Sequence, residues 1–347
     1  MEAHAPNPQP NAPSERRAQP SPNRRAMAAM LTGDPEELET GNGFDGLTPT
    51  EDLVSVIVPS YAHEEFVEEA LRSITRQTYR NVEVILIDDH SPDRTYERAL
   101  AVLRQAAFPY CALRRAHAGM DTNINAGVMI AHGGWIAILA SDDVFPQNSL
   151  EALFSAARSE HADVAVGPVD EITTAGSLKN SRTAIVARYS RLSGETLRKA
   201  LLEEHGSMLV QGMLISRKVF TRVGLFDGKT LASDFDFLVG MASHGVKFAF
   251  ASSVTAQHRE ARERPSRKYL ARVLWSHRTV ARRHANSLSE YRHAVCRYYC
   301  EAGFTSFNFG YLTDATNYIV RALFIAPITA AWIIASRVFR RLSHGQR

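Results

Sequence analysis

The stretch that decides the fold runs from Val54 to Asp93 and reads VSVIVPSYAHEEFVEEALRSITRQTYRNVEVILIDDHSPD. It begins with an apolar, β-branched run over residues 54–58, and residues 82–87 are expected to form a second, apolar strand. Between the two runs, apolar residues recur at helical spacing, which predicts a strand, a helix and a second strand. The helical positions are Phe66, Val67, Ala70, Leu71 and Ile74.

The same alternation continues along the chain. We expect a weaker strand near residues 110–113, a helix over 123–131, a strand over 135–140 and a later strand over 247–250. Alternating helices and apolar strands predict an α/β fold with a mostly parallel sheet covered by helices on both faces. Ligands bind such sheets outside the carboxyl ends of the strands. Polar or aromatic residues follow three predicted strands, so we expect them to share one crevice; they are Tyr61, Asp88, Asp89, Asp142 and Asp143.

Composition limits the class of protein. A chain of 347 residues with 45% hydrophobic content can bury a full-sized core. Its three cysteines are too few for a disulfide framework and lack the spacing of a zinc site, which favours a reducing, cytoplasmic setting. The first fifty residues contain eight of the fifteen prolines, and we expect a disordered leader over residues 1–50. The apolar run at 26–31 is too short for a secretory signal.

The C-terminal quarter is basic. Residues 257–347 hold sixteen Lys or Arg against five Asp or Glu, whereas the whole chain has a net charge of +3. This charge fits a nucleic acid, an anionic membrane surface or a solvated face. An apolar helix expected over residues 322–336 covers about 22 Å, too short for a hydrocarbon core of about 30 Å. With Pro327 and Trp332 in it, we expect a peripheral, interfacial helix on the inner membrane face and no nucleic-acid partner; a helix docked on the domain is the alternative.

Three segments together resemble the family 2 glycosyltransferases of GT-A fold. They are residues 54–95, residues 125–145 (NAGVMIAHGGWIAILASDDVF) and residues 214–245 (LISRKVFTRVGLFDGKTLASDFDFLVGMASHG). The resemblance covers about residues 54–258, so we expect a GT-A domain over 51–258 and a basic helical region over 259–347. It implies an inverting transfer from a nucleoside-diphosphate sugar, expected to be a UDP-sugar, to a hydroxyl of a glycan or lipid-linked acceptor. A divalent cation, Mg²⁺ or Mn²⁺, would be the cofactor.

The resemblance also implies a donor site. By the family's Asp-x-Asp motif, Asp143 would be the main metal ligand and Asp142 would contact the ribose or the metal. His258 would approach the metal or the diphosphate. The backbone at Pro59, the ring of Tyr61 and the carboxylate of Asp89 would receive the base, and Asp88 would shape the loop. Without the resemblance, Asp142 and Asp143 could instead cap a helix.

Asp234 occupies the position of the catalytic base in the family's Glu-Asp pair. Asp236 lies two residues on and does not share its helix face. The chain departs from the family pattern at Ala140 and Ser233, where acids are common in the family. Two rival functions remain: a non-catalytic sugar-nucleotide sensor, motivated by these departures, and a nucleotidyltransferase, which usually has a Gly-rich basic loop that PSYAHEEF lacks.

Overall fold

The computed structural model describes residues 36–181, 183–203, 210–260 and 266–344, with side chains described as far as residue 337. The strands are β1 (Glu37–Gly41), β2 (Val54–Ser60), β3 (Val82–Asp88), β4 (Tyr110–Arg114), β5 (Trp135–Ile138), β6 (Val164–Val166), β7 (Val169–Ile172), β8 (Leu178–Ser181), β9 (Met213–Ser216), β10 (Phe248–Phe250) and β11 (Ala256–Arg259). The helices are α1 (Val67–Thr75), α2 (Thr95–Leu103), α3 (Met120–Ile130), α4 (Ser149–Ser159), α5 (Thr183–Tyr189), α6 (Gly194–Glu203), α7 (Arg217–Val223), α8 (Ser233–Ser243), α9 (Arg267–His284), α10 (Leu288–Asn308), α11 (Leu312–Ile325) and α12 (Pro327–His344).

The central sheet has eight strands in the order β1-β4-β3-β2-β5-β9-β6-β10. Strands β4, β3, β2 and β5 pair in parallel, with Ser60 opposite Asp88 and Ile57 opposite Ile138. Separate apolar clusters lie on the two faces of the sheet, and helices contribute to both. The predicted α/β fold with a mostly parallel sheet is therefore confirmed. The exceptions are β1, antiparallel to β4, and β9, antiparallel to both β5 and β6.

Strand β1 lies inside the range that the sequence assigns to the leader. It pairs with β4 along its whole length, and the next turn buries Phe44, whose ring packs edge-on against His132 at 4.9 Å between centroids. The strand was missed because it is an edge strand that buries few of its side chains. The boundary at residue 50 was wrong, since folded structure is present from residue 36; residues 1–35 lie outside the described residues.

Strand β3 was expected to be apolar throughout, yet it contains Glu83 at full burial. Its carboxylate accepts hydrogen bonds from the backbone and ring of His132 and from the Ser55 hydroxyl. Burial by itself would raise the pKa of Glu83, but the hydrogen bonds from His132 and Ser55 hold it below its usual range. A buried carboxylate is tolerated here because its oxygens are satisfied.

The C-terminal helices pack on one another and on the sheet domain. Helix α10 contacts α6, α9, α11 and α12, and its buried residues belong to the same apolar cluster as one face of the sheet. The expected single helix over 322–336 was wrong: α11 ends at Ile325 and α12 begins at Pro327. Proline disfavours helical geometry in the residue before it but suits the first position of a helix.

Among the described residues, no helix combines the length and the apolar character that crossing a membrane would require.

Candidate functional site

The carboxyl ends of β2 and β3 bring Tyr61 and Asp89 to one edge of the sheet. The exposed ring of Tyr61 packs against His117 at 4.8 Å between centroids, and His117 Nδ1 lies 2.9 Å from Asp89 Oδ2. The buried carboxylate of Asp89 also accepts hydrogen bonds from the backbone N–H groups of Ala118 (2.8 Å) and Gly119 (3.0 Å). Asp89 therefore fixes the turn that leads into α3.

Asp88 is fully buried beside Asp89 and has a structural role. It accepts hydrogen bonds from the Ser60 hydroxyl and from the backbone and hydroxyl of Ser91. Arg114 Nε lies 3.7 Å from Oδ1 of Asp88. Through these contacts Asp88 joins the end of β2 to the loop after β3.

The end of β5 places the Asp142-Asp143 pair beside the end of β2. The backbone of Ser141 donates to the carbonyl of Pro59, and the Ser141 hydroxyl lies 2.9 Å from His63 Nδ1. Asp142 keeps 24% of its side chain exposed and lies 3.7 Å from His63 Nε2. Burial and the neighbouring Asp143 charge raise the pKa of Asp142. The ends of β2 and β5 thus lie side by side at one edge of the sheet, where Asp142 is partly exposed.

Asp143 is enclosed by strand β11. Its Oδ1 accepts from the backbone N–H of Arg259 at 2.9 Å and lies 3.1 Å from His258 Nδ1. The buried Arg259 side chain donates to the carbonyl of Asp142 and to Glu69. Strand β11 includes Arg259 and so crosses the domain boundary expected after residue 258. The structure therefore brings the predicted metal residues Asp143 and His258 into direct contact.

These residues fit a cation that is held mainly by its substrate. Among the described residues, no group of three or more His, Cys, Asp or Glu could enclose a metal alone. Mg²⁺ usually keeps several waters and takes one or two carboxylates together with substrate phosphates. Asp142 is the more exposed carboxylate of the pair, and Asp143 lies behind it with His258. An oxygen-rich, incomplete ligand set of this kind suits a metal–diphosphate complex.

Asp234 lies in the first turn of α8 and is half-buried. Its Oδ1 accepts a hydrogen bond from the backbone N–H of Phe235 at 2.7 Å, and no side chain among the described residues pairs with it. Burial raises the pKa of Asp234, while this backbone hydrogen bond acts in the opposite direction. An unpaired carboxylate with a raised pKa has the properties of a general base.

Asp236, unlike Asp234, contacts other side chains. It is buried, its Oδ1 lies 2.7 Å from His284 Nε2, and its Oδ2 pairs with Arg283. Both partners are at the C-terminal end of α9, so Asp236 fastens α8 to the helical region. This arrangement favours Asp234 over Asp236 as the residue available for chemistry.

Helix α3 contributes three further polar residues, which are Asp121, Asn123 and Asn125. Asp121 accepts from the Ser233 hydroxyl at 2.7 Å, and Asn125 exchanges two hydrogen bonds with the backbone of Phe226. Asn123 is buried and lies 3.4 Å from Arg115. Through these contacts α3 joins the turn held by Asp89 to the start of α8.

Sequence reasoning missed His63, His117 and Arg259. His63 and His117 stand in turns after strands, where a histidine near predicted acidic residues could have been noticed. Arg259 follows His258 directly. The charge count did not single it out, because it is one of sixteen basic residues in residues 257–347. Its role depends on the pairing of β11 with β7.

Comparison with known proteins identifies the domain. Residues 55–224 match the family model Glycosyl transferase family 2. Glycosyltransferase GlyG of Streptococcus pneumoniae is 34% identical over 116 residues, which is 33% of this chain and 38% of that protein. A glycosyltransferase of Rickettsia prowazekii is 30% identical over 178 residues, covering 50% of this chain and 54% of that protein. The matches thus span about a third to a half of these relatives.

Solved structures agree on the fold. TarS of S. aureus in complex with UDP-GlcNAc has a TM-score of 0.55 at 14% identity, covering 80% of this chain and 82% of that one. Mannosyltransferase PcManGT of Pyrobaculum calidifontis, in complex with GDP-Man and Mn²⁺, has a TM-score of 0.51 at 19% identity, covering 92% and 87%. Residues 55–224, just under half of the chain, thus match the family 2 glycosyltransferases, and the described residues have the GT-A fold.

The two acidic residues of α8 should differ in their effect on stability. Asp236→Ala should lower the free energy of unfolding by about 2 kcal/mol, since it removes the buried carboxylate that pairs with Arg283 and contacts His284. Asp234→Ala should change it by less than about 1 kcal/mol, because that carboxylate has no side-chain partner to lose. Urea denaturation at pH 7 measures both values. Equal losses would contradict the different roles of the two residues.

Proposed function

We propose that this family 2 glycosyltransferase transfers a sugar from a nucleoside-diphosphate sugar to a hydroxyl of a glycan or lipid-linked acceptor, with inversion. The observation that carries the proposal is the meeting of the carboxyl ends of β2, β3 and β5, which brings Tyr61, Asp89 and the Asp142-Asp143 pair to one edge of the sheet. A nucleotide-sugar donor is supported by two structures of like fold, whose complexes contain UDP-GlcNAc and GDP-Man.

The nucleotide would occupy the β2 and β3 side of the crevice. The exposed ring of Tyr61 offers a stacking face, and the backbone near Pro59 lines the approach. A carboxylate has about four acceptor sites, and that of Asp89 already faces Ala118, Gly119 and His117. An N–H of a uracil-like base would take the place of His117, whose side chain is 62% exposed. UDP is therefore the expected nucleotide.

The diphosphate would lie over the Asp142-Asp143 pair. A bound Mg²⁺ or Mn²⁺ would neutralise the charge that grows on the diphosphate as the glycosyl bond breaks. Asp142, Asp143 and His258 are the residues that would hold it. His63 would also face the diphosphate from the β2 side, since it lies beside Asp142.

Asp234 would act as the base. The acceptor hydroxyl is a poor nucleophile until its proton is removed. In the proposed step the acceptor oxygen bonds to the anomeric carbon, its proton passes to Asp234, and the bond between that carbon and the diphosphate oxygen breaks. Attack opposite the leaving group inverts the anomeric centre. The raised pKa of Asp234 makes it a stronger base than an exposed aspartate.

A membrane surface is the proposed site of the acceptor. At the junction of α11 and α12, Phe324 is 83% and Ile328 86% exposed, and Trp332 lies one turn further along α12 at 64%. This apolar tip belongs to the region with net charge +11. An apolar tip on a basic region matches the interface of an anionic bilayer. We propose peripheral binding at the cytoplasmic face of the membrane, in the synthesis of a cell-envelope glycan.

Asp234→Asn tests the base. An amide of nearly the same shape cannot take a proton, so turnover should fall by about 10² to 10⁴ while donor binding is kept. In the wild type, turnover should decrease on the acid side at a pH above the usual pKa of aspartate, because burial raises the pKa of Asp234 and only its ionised form accepts a proton. Release of nucleoside diphosphate reports turnover. Near-normal turnover of the variant would remove Asp234 from the mechanism.

Asp143→Ala tests the metal residues and separates the proposal from a non-catalytic sensor. We expect loss of transfer and of metal-dependent donor binding with the fold kept, measured by calorimetry with UDP-sugars in Mg²⁺, Mn²⁺ or EDTA and by circular dichroism. Asp163→Ala, an exposed aspartate at the far end of the sheet, is the matched control. Donor affinity that is the same with and without metal in both proteins would contradict the prediction, and metal-dependent binding without turnover would indicate a sensor.

Acidic substitutions at the apolar tip, at Phe324 and Ile328, test the membrane proposal. Full-length protein should sediment with vesicles of anionic phospholipid, less so at high salt, because the basic region contributes a screened attraction. Phe324→Glu with Ile328→Glu should weaken binding by about tenfold or more, since two apolar side chains no longer enter the interface. Leu178→Glu, on the exposed strand β8, should bind like wild type. Wild-type protein that stays in the supernatant at low salt would end the proposal.

A further inference from the structure

Helix α3 holds the segment before Asp234 at two points one helical turn apart. Asn125 donates to the carbonyl of Phe226 at 2.9 Å and accepts from its N–H at 3.0 Å. Four residues earlier, Asp121 accepts from the Ser233 hydroxyl at 2.7 Å. Residues four apart lie on the same helix face. The segment from Phe226 to Ser233 is therefore fastened at both ends to one face of α3.

The hydrogen bond between Asp121 and Ser233 lies directly beside Asp234, the proposed base. Ser233 is buried and is the first residue of α8, so its side-chain contact fixes the backbone from which Asp234 projects. Asp121 is half-buried in the first turn of α3. Ser233 stands at the position where the family often has an acid, and Asp121 brings a carboxylate to that place from a different helix.

We propose that Asp121, acting through Ser233, is the positioning residue that holds Asp234 toward the acceptor. The inference rests on the proposed function, because it assigns a task relative to the base of that reaction. Asp121 does not exchange a proton with the substrate. It fixes the first turn of α8, and its negative charge acts on Asp234.

The charges around Asp121 support this assignment. Burial raises the pKa of Asp121, the hydrogen bond from Ser233 opposes that change, and the charges of Asp234 and Asp227 raise it further. Asp227 is itself paired with Arg283 of α9, which offsets part of its charge. From α9, His277 packs edge-on against Phe235 at 5.3 Å between centroids. Repulsion between two carboxylates is mutual, so removing the Asp121 charge should make Asp234 easier to ionise.

Three single variants separate the positioning of Asp234 from the effect of the Asp121 charge. Asp121→Ala and Ser233→Ala each remove the hydrogen bond, and each should lower kcat by about tenfold or more with the donor KM unchanged, since misplacing a catalytic group is costly. The double variant should lose no more than either single one, because both act through one contact. Asp121→Asn keeps an oxygen that accepts from Ser233 and should restore most of kcat. Met129→Ala, an exposed residue of the same helix, is the control.

Asp121→Asn should also move the acid side of the pH–kcat profile to lower pH. Loss of the like charge lowers the pKa of Asp234, so its ionised form persists further into acid. A ¹³C NMR titration of aspartate carboxyl carbons, assigned with Asp234→Asn, measures the same shift without turnover. A role that is only structural would change stability in the alanine variants but leave this titration in place.

Defined results would overturn the inference. They are a kcat of Asp121→Ala within twofold of wild type, a raised donor KM in place of a lowered kcat, or the same Asp234 titration in wild type and Asp121→Asn. If the wild-type protein turns over no nucleotide sugar, the proposed function fails by itself, and the carboxyl titration still decides whether Asp121 sets the ionisation of Asp234.

Discussion

The parallel pairing of β2 with β3 on one side and β5 on the other is the constraint on which the site depends. Parallel strands end at the same edge of a sheet, so three turns that are distant in sequence meet there. The register places Ser60 opposite Asp88, so the chain leaves β2 and β3 at the same edge of the sheet. A change of register would move Tyr61, Asp89 and Asp142 relative to one another, because each of them follows a different strand.

The carboxylate of Asp89 extends this constraint to the second half of the chain. It binds the backbone of the turn at Ala118 and Gly119, and Gly119 at φ +88° is the residue before α3. Helix α3 in turn holds the segment that leads into α8. The turn held by Asp89 and the start of α8 are thereby connected through a short series of partly buried polar contacts, which are more directional than apolar packing.

A second, small sheet of three strands in the order β11-β7-β8 completes the site by a different route. Strand β11 pairs with β7 in the small sheet, and Val144 bridges to Gln257, so residues 258 and 259 come to lie against the Asp pair. Arg259 then binds main-chain and carboxylate oxygens from several turns, and its guanidinium stacks over Phe66 at 4.7 Å. The helical region begins only after this strand and is fastened to α8 by Asp236. Helix α8 therefore carries both Asp234 and the contact to the helical region.

The local sequence determined the strands and helices in which apolar residues recur at a regular spacing. The apolar runs of β2, β3 and β5 and the helical spacing in α1 each carry their own signal, so the parallel α/β core and the carboxylates at its strand ends could be predicted. The family resemblance rested on the same residues. It also gave the positions of Asp234 and His258, whose roles do not follow from periodicity.

Tertiary structure alone decided the features that depend on contacts between distant residues. Strand β1 has too few buried side chains to show a period and exists through its pairing with β4, and the buried Glu83 is stable because His132 and Ser55 reach it. The break at Pro327 was visible in the sequence, but its use as the start of a new helix depended on packing against α10 and α11. The contact of Asp121 with Ser233 spans 112 residues, and no local pattern encodes a hydrogen bond between two helix N-termini.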